Sequence, residues 1–354
     1  MTTYDIQELM VPASAGDAAG GDFADSLEIM AASEAEAYAT DELHQTAAEL
    51  LPFWQDLANP RRLFGVKIDG VLVARGVYDW LVDETTTAYV RVDVLADFRR
   101  RGIGTALLEH LEALAHADGR NKLITYAASK DAAGERLDSP TGFGSLPLAN
   151  ADVRFLLGHG FTLEQVERGS RLPLPRDAED LRARFAAASA RAGEDYAVHH
   201  WLGGTPQRWL ADMAMLQTRM STDAPSAGLE EPEDVYTVER VVDNEQKQST
   251  SRELLTAVVE HVPSGHLVGY TTLSLPLGEP RPVFQDDTLV LREHRGHRLG
   301  MLLKVANIAY LEAERPGHPS IVTWNAEENR FMLDVNEAVG FEPMGYEGAW
   351  KKLL

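Results

Sequence analysis

The sequence predicts a mixed α/β protein built as two tandem units, and three observations carry that reading. Two segments, Arg99-Arg100-Arg101-Gly102-Ile103-Gly104-Thr105 and Arg295-Gly296-His297-Arg298-Leu299-Gly300-Met301, each follow a strand-like run and precede an amphipathic helix pattern. The strand end lies ten residues before the loop glycine in both, from Val94 to Gly104 and from Val290 to Gly300. Each half then closes on a Gly-Phe pair, Gly160-Phe161 and Gly340-Phe341. The loop-to-pair distances are 56 (104 to 160) and 40 (300 to 340), and the excess of 16 fits a Gly/Pro/Ser-rich insertion at 129–148.

The first unit, expected over 1–175, opens with a strand at 4–11, a loop at 12–21 and helical patterning over 22–57 that Asp22 is placed to cap. Runs at 61–68 and 71–81 form a hairpin around Asp69-Gly70, a pair suited to a two-residue turn. The strand before the loop alternates as Tyr89, Val90, Arg91, Val92, Asp93 and Val94, and the next helix stacks Ile103, Leu107, Leu108, Leu111 and Leu114 on one face. A strand at 122–127, the insertion, a helix near 150–157 and strands through 174 complete the unit.

Residues 176–195 read as a connecting helix whose alternating charge suits a spacer. The second unit, 196–354, opens with a strand and has helical runs at 206–220 and 233–246 around a loop at 221–231. Paired strands follow at 254–261 and 266–275, then the strand Thr288, Leu289, Val290, Leu291 and a helix with the stripe Leu299, Leu302, Leu303, Ala306, Ala309. The same order is expected in both halves: strand, two helices, three strands, helix, strand, helix, two strands.

At 354 residues each unit is long enough to bury its own core. With no cysteine, disulfides, thiolate metal sites and a thiol nucleophile are excluded. The N-terminus has the charge and hydropathy of neither a signal peptide nor an anchor, so a cytoplasmic protein away from membranes is expected. A net charge of −22 opposes nucleic-acid binding, which depends on Lys and Arg, and favours a cationic partner. No metal is expected: His294 and His297 lie inside the second loop without an evident third ligand, and His199 and His200 point to opposite faces of a strand.

Glycines let loop N–H groups close on an anion, and a helix N-terminus adds its positive dipole end, so each loop is suited to a pyrophosphate. With the R-x-x-G-x-G of Arg99 to Gly104, and the strand-Asn-helix-Gly-Phe run from Val322-Thr323-Trp324-Asn325 through Asn329 to Gly340-Phe341, the chain resembles the GCN5-related N-acetyltransferase (GNAT) family twice over. The resemblance covers nearly the whole length. It implies a splayed central sheet in each half and acetyl-CoA as acyl donor, with an amine of a small molecule as acceptor. It also implies cofactor contacts at Val94, Leu95, Arg99, Arg100, Arg101, Gly102, Gly104 and Thr105 in the first unit. Their counterparts in the second are Val290, Leu291, Arg295, Gly296, His297, Arg298 and Gly300, joined by Asn325 and Asn329. Arg298 stands where the family has its first loop glycine.

Acyl transfer to an amine needs a proton acceptor, an oxyanion partner and a proton for the leaving thiolate. The family often places an acid tyrosine four residues before the closing glycine; here those positions are Leu156 and Asn336, which leaves Tyr89, Tyr126, Tyr310 and Tyr346 as candidates. For the base, Asp286 shares strand parity with Thr288 and Val290 and is expected to face the cleft, with Asp287 facing away. That aspartate and the uninterrupted 323–341 segment make the second unit the expected seat of chemistry. Two other readings stay open: a catalytically degenerate acyl-CoA-binding sensor, and an aminoacyl transferase on the same tandem fold. The acceptor and the oligomeric state are left open by the sequence.

Overall fold

A computed structural model describes residues 4–14, 16, 17, 20–278 and 280–354. Part of the loop expected at 12–21, namely residues 15, 18 and 19, lies outside the described residues. The first half runs β1 (Ile6–Leu9), α1 (Gly21–Tyr38), α2 (Ala47–Trp54), β2 (Arg61–Ile68), β3 (Val71–Asp79), β4 (Thr87–Val94), α3 (Ile103–Ala117) and β5 (Lys122–Ser129). The small hairpin β6 (Arg136–Asp138) and β7 (Ser145–Pro147) follows, then α4 (Ala151–Gly158) and β8 (Thr162–Pro173). The second half runs α5 (Ala178–Ala192), β9 (Tyr196–Leu202), α6 (Leu210–Asp223), α7 (Val238–Gln248), β10 (Arg252–His261), β11 (His266–Pro276), β12 (Val283–Val290), α8 (Leu299–Glu314), β13 (Ser320–Ala326), α9 (Arg330–Val339) and β14 (Glu342–Leu353).

Local chemistry explains most boundaries. Asp69 and Gly70 take φ of 52° and 82°, as a tight hairpin turn requires. The single helix expected over 22–57 is two: Ala39 leaves α1 in a left-handed conformation, and Thr46 and Glu49 start α2 with a reciprocal capping box. The two strands expected after each closing Gly-Phe pair are one twelve-residue strand in each half, β8 and β14. The helix expected as a spacer, α5, buries Leu181, Ala188 and Ala192 against the second half's core. These positions are 7 and 11 residues apart, the spacing of one helical face.

All strands except β6 and β7 join one sheet of twelve, in the order β1-β2-β3-β4-β5-β14-β8-β13-β12-β11-β10-β9. The order reads the same from either edge once each first-half strand is matched to its second-half counterpart. The last strand of each half lies beside the fifth strand of the other, β14 against β5 and β8 against β13, and the two pair at the centre with Glu347 opposite Glu167. The halves therefore complete each other's sheets.

In each half two parallel strands part company. β4 and β5 pair only from Thr87↔Lys122 to Tyr89↔Ile124. β12 and β13 pair only at Val283↔Ile321 and Phe284↔Val322. Beyond those points the strands diverge, leaving peptide groups on β4 and β12 without a sheet partner on that side.

Candidate active site

The first loop is held by its own arginine. Arg99 donates from Nε to the Val94 carbonyl at 2.9 Å and pairs with Glu36 of α1 at 2.7 Å, so its guanidinium fixes the turn against strand end and helix. Arg100 and Gly102 both take left-handed φ, 61° and 89°. A Cβ on Gly104 would touch the Phe155 ring at 3.4 Å and Val94 Cγ2 at 3.6 Å, so the helix start packs closely there. Arg101 turns away: it donates to the Asp97 carbonyl at 2.8 Å and lies over the Phe98 ring.

Behind this loop a cleft of about 600 Å³ runs between β4 and β5. Arg99, Arg100, Gly102, Gly104 and Thr105 line its mouth, Leu108, Leu156 and Phe161 its floor, and Val90 to Val94 with Thr125 to Ala128 its sides. The Thr105 hydroxyl meets His159 Nε2 at 3.1 Å. The Leu95 N–H donates to the Val73 carbonyl at 3.0 Å. Antiparallel pairing alternates, so Val90, Val92 and Val94 turn their peptide groups toward the gap. Leu95, expected among the cofactor contacts, uses its N–H in the β3 ladder and packs its side chain in the core under α1 and α2. Asn150, missed in the sequence because the insertion obscured it, stands at the N-cap position of α4 and lines the cleft. Its side chain donates to Ser129 Oγ and the Lys130 carbonyl.

The second loop repeats the first with one exchange. Arg295 donates to the Val290 carbonyl at 3.0 Å and pairs with Asp223 of α6 at 3.1 Å, as Arg99 does with Val94 and Glu36. Its left-handed residues are Gly296 and Arg298, φ 88° and 59°. Glycine has moved from the second left-handed position to the first, and the backbone is kept. The Leu291 N–H is likewise spent on the Val268 carbonyl at 2.9 Å. His297 stacks near Tyr196, ring centres 5.2 Å apart, and His294 Nδ1 meets the Tyr196 hydroxyl at 3.0 Å. Asn329 caps α9 through the Met332 N–H, and Asn325 accepts from Asn336 at 2.7 Å.

The floor of the second half is polar where the first is apolar. Adding 196 to Leu108 gives Lys304, as it takes Gly104 to Gly300, and Asn336 stands where Leu156 does, four residues before the closing glycine. Lys304 is 1% exposed, lies 5.5 Å from the Phe341 ring centre, and has its ammonium pushed down to about 7 by burial.

A bulge in β12 changes the expected parity. Thr271 faces Thr288 and Leu273 faces Gln285, so Asp286 and Asp287 together oppose Thr272. Asp287, expected to face away, lines the same cavity of about 290 Å³ as Asp286 and accepts from the Tyr270 hydroxyl at 3.0 Å. Withdrawal from water and the charge of Asp287 push the Asp286 carboxyl up to about 7. This cavity continues into a second one of about 400 Å³ between the halves, sharing Ser221, Asp234, Tyr236, Asn244 and Gln248. In the second cavity Asp79 is pushed up to about 6 by burial.

Tyr126, among the candidate acids, lines the first-half cleft and donates to Glu231 Oε1 at 2.6 Å. Among the described residues no three His, Cys, Asp or Glu side chains converge as metal ligands, and no helix is long and apolar enough to cross a membrane. His199 pairs with Glu260, while His200 stacks on Tyr310.

Residues 27–136 match the sequence model of the acetyltransferase (GNAT) family. No curated protein sequence matches the chain. Among solved structures, a tandem GNAT protein from the clavulanic acid biosynthesis pathway has a TM-score of 0.70 at 24% identity, over 99% of this chain and 98% of its own. A GCN5-related N-acetyltransferase from Sphaerobacter thermophilus gives 0.60 at 16% identity, covering 99% of this chain and 95% of its own. A GCN5-related glucosamine N-acetyltransferase region of a fungal multi-domain β-N-acetylglucosaminidase gives 0.61 at 14% identity, over 99% of this chain and 38% of that one. The first unit thus carries the sequence pattern of the acetyltransferase (GNAT) family, and the chain along its whole length has the fold of tandem GNAT proteins.

Proposed function

We propose that the protein moves an acetyl group from acetyl-CoA to the amine of a small cationic molecule, with acetyl-CoA held by the first unit. The observation that carries this reading is the cleft of about 600 Å³ that joins the Arg99–Thr105 loop to the parted strands β4 and β5. Loop N–H groups and the α3 N-terminus would hold the pyrophosphate. The Val92 peptide group and the Val94 N–H, which face the gap, suit the amides of the pantetheine arm, and Leu108, Leu156 and Phe161 its methylenes. Holding both reactants in one geometry is the largest help such a site gives a bimolecular acyl transfer.

The acceptor reading rests on charge. In the cavity between the halves and the second-half cavity that adjoins it, Asp56, Asp79, Glu231, Asp234, Asp286 and Asp287 outnumber Arg61, Arg240 and Lys247, and Arg240 is already paired with Asp234. An ammonium-bearing acceptor fits that balance and an anionic one does not.

A second reading places the chemistry in the second unit with Asp286 as base. Its support is the raised Asp286 carboxyl at the β12 bulge, with no ion pair of its own among the described residues. Turnover with a panel of polyamines, aminoglycosides and amino sugars separates the two. If the first unit works, Gly102→Glu abolishes acetylation while Asp286→Asn keeps it within about threefold. If the second unit works, Asp286→Asn lowers kcat about 10²-fold or more with acetyl-CoA affinity unchanged. Acetyl-CoA binding without turnover of any amine on the panel would favour the sensor.

A further inference from the structure

We infer that Tyr126 and Glu231, a phenol from the first unit and a carboxylate from the second, form the proton relay of the transfer. The inference rests on acetyl-CoA occupying the first-unit cleft. Tyr126 lines that cleft and Glu231 lines the cavity between the halves, so their 2.6 Å hydrogen bond spans the wall between donor and acceptor. No other hydrogen bond among the described side chains joins those two sets of lining residues.

The pair is positioned from both units. Tyr126 packs with Ile124 of its own strand, Leu229 of the α6–α7 connection and Ala349 of the exchanged strand β14. The Leu229 carbonyl accepts from Lys122 Nζ at 3.2 Å and the Glu230 carbonyl at 2.5 Å, which ties the segment before Glu231 to the start of β5. Lys351 of β14 holds the Gly228 carbonyl. A second-unit loop is thus anchored on first-unit strands at the point where its next residue meets Tyr126. Leu156 and Asn336 carry no ionisable proton, so the acid is otherwise unassigned.

The steps balance. The amine lone pair forms the C–N bond at the thioester carbonyl carbon, and the carbonyl π pair moves to oxygen. The Glu231 carboxylate takes the proton from the new N–H. The tetrahedral adduct collapses, the C–S bond breaks, and the departing thiolate takes the phenol proton of Tyr126. The phenolate then recovers a proton from the Glu231 carboxyl along their shared hydrogen bond. An amide and a free CoA thiol leave, and both side chains end as they began. Burial and the charge of Glu231 hold the Tyr126 phenol well above its ordinary range. Neutralising Glu231 lifts the second of those restraints at the stage when the thiolate needs a proton.

The test uses Tyr126→Phe, Glu231→Gln and the double variant in the full chain, with acetyl-CoA and the panel amine that the wild type acetylates fastest. Each single variant is expected to lose about 10²-fold or more in kcat, with acetyl-CoA affinity by calorimetry within about twofold of wild type. The double variant should fall little further, because two members of one relay are not additive. A kcat within about threefold in Tyr126→Phe overturns the relay and leaves acetyl transfer by the first unit standing. Loss of acetyl-CoA affinity in Tyr126→Phe also overturns it, by assigning the hydroxyl to holding the cofactor. If the wild type acetylates no amine on the panel, the reading beneath the relay fails and the relay with it.

Discussion

Gly102 and Arg298 occupy one backbone position in the two loops, and both are left-handed, at φ 89° and 59°. An arginine at 59° sits close to the small region that L-residues tolerate, at a cost of about 1 kcal/mol, comparable to the entropy a glycine gives up there. Gly102→Ala is therefore expected to destabilise the protein by about 1 kcal/mol, and Arg298→Gly to change stability by less than about 0.5 kcal/mol. Urea denaturation monitored by tryptophan fluorescence reads both; an equal loss in the two variants would argue against a shared loop conformation. In the sequence Arg298 looks like a lost glycine when its position is taken alone. The compensating exchange, Arg100 for Gly296, was already printed two residues upstream. By contrast, the engagement of Arg99 and Arg295 on the carbonyls of Val94 and Val290 has no one-dimensional signal, since it depends on where the strand ends turn.

The strands β8 and β14 show the same limit at the level of elements. Their strand character was readable, but neither their unbroken length nor that each would pair with the other half, because register across a sheet is set by contacts far apart in sequence. The seam has its own steric logic. Tyr38, at the end of α1, accepts from Trp324 Nε1 at 2.7 Å and donates to Glu347 at 3.3 Å, lying over Gly345 and Gly169. A Cβ on Gly345 would lie 2.7 Å from Tyr38 Cε1, and one on Gly169 3.2 Å from the same atom. Gly345→Ala must push the ring out and is expected to cost about 2 kcal/mol or more, as overpacking does, and to cost little further when made in a Tyr38→Ala background. Simple addition of the two losses in a double-mutant cycle would contradict this packing. The β12 bulge was equally hidden: strict alternation separated Asp286 from Asp287, and one extra residue brought them together.

Across the whole molecule, the exchanged strands bring Glu167 and Glu347 face to face at the centre of the sheet. Burial raises both carboxyls above their ordinary 4.5, and the charge of Glu347 raises Glu167 further. A raised acid binds more protons folded than unfolded, so this pair lowers stability as pH climbs from about 4.5 toward 8, with the loss complete above its folded pKa values. Glu347→Gln should flatten that decline, gaining on wild type at pH 8 relative to pH 5 in denaturation curves. A variant whose stability ran parallel to wild type over that window would show that the pair does not titrate as described. The tandem repeat, the two loops and the acidic balance were legible from spacing and composition alone. The cavity between the halves was not, because Asp79 and Glu231 come from segments of different halves that only the shared sheet brings together.

The most direct test of the central claim is calorimetric titration of acetyl-CoA into the wild-type chain and into Gly102→Glu. That change strains the loop and sets a negative charge where the pyrophosphate would lie, so binding is expected to weaken by tenfold or more. Unchanged acetyl-CoA affinity in Gly102→Glu would contradict the placement of the cofactor in the first unit.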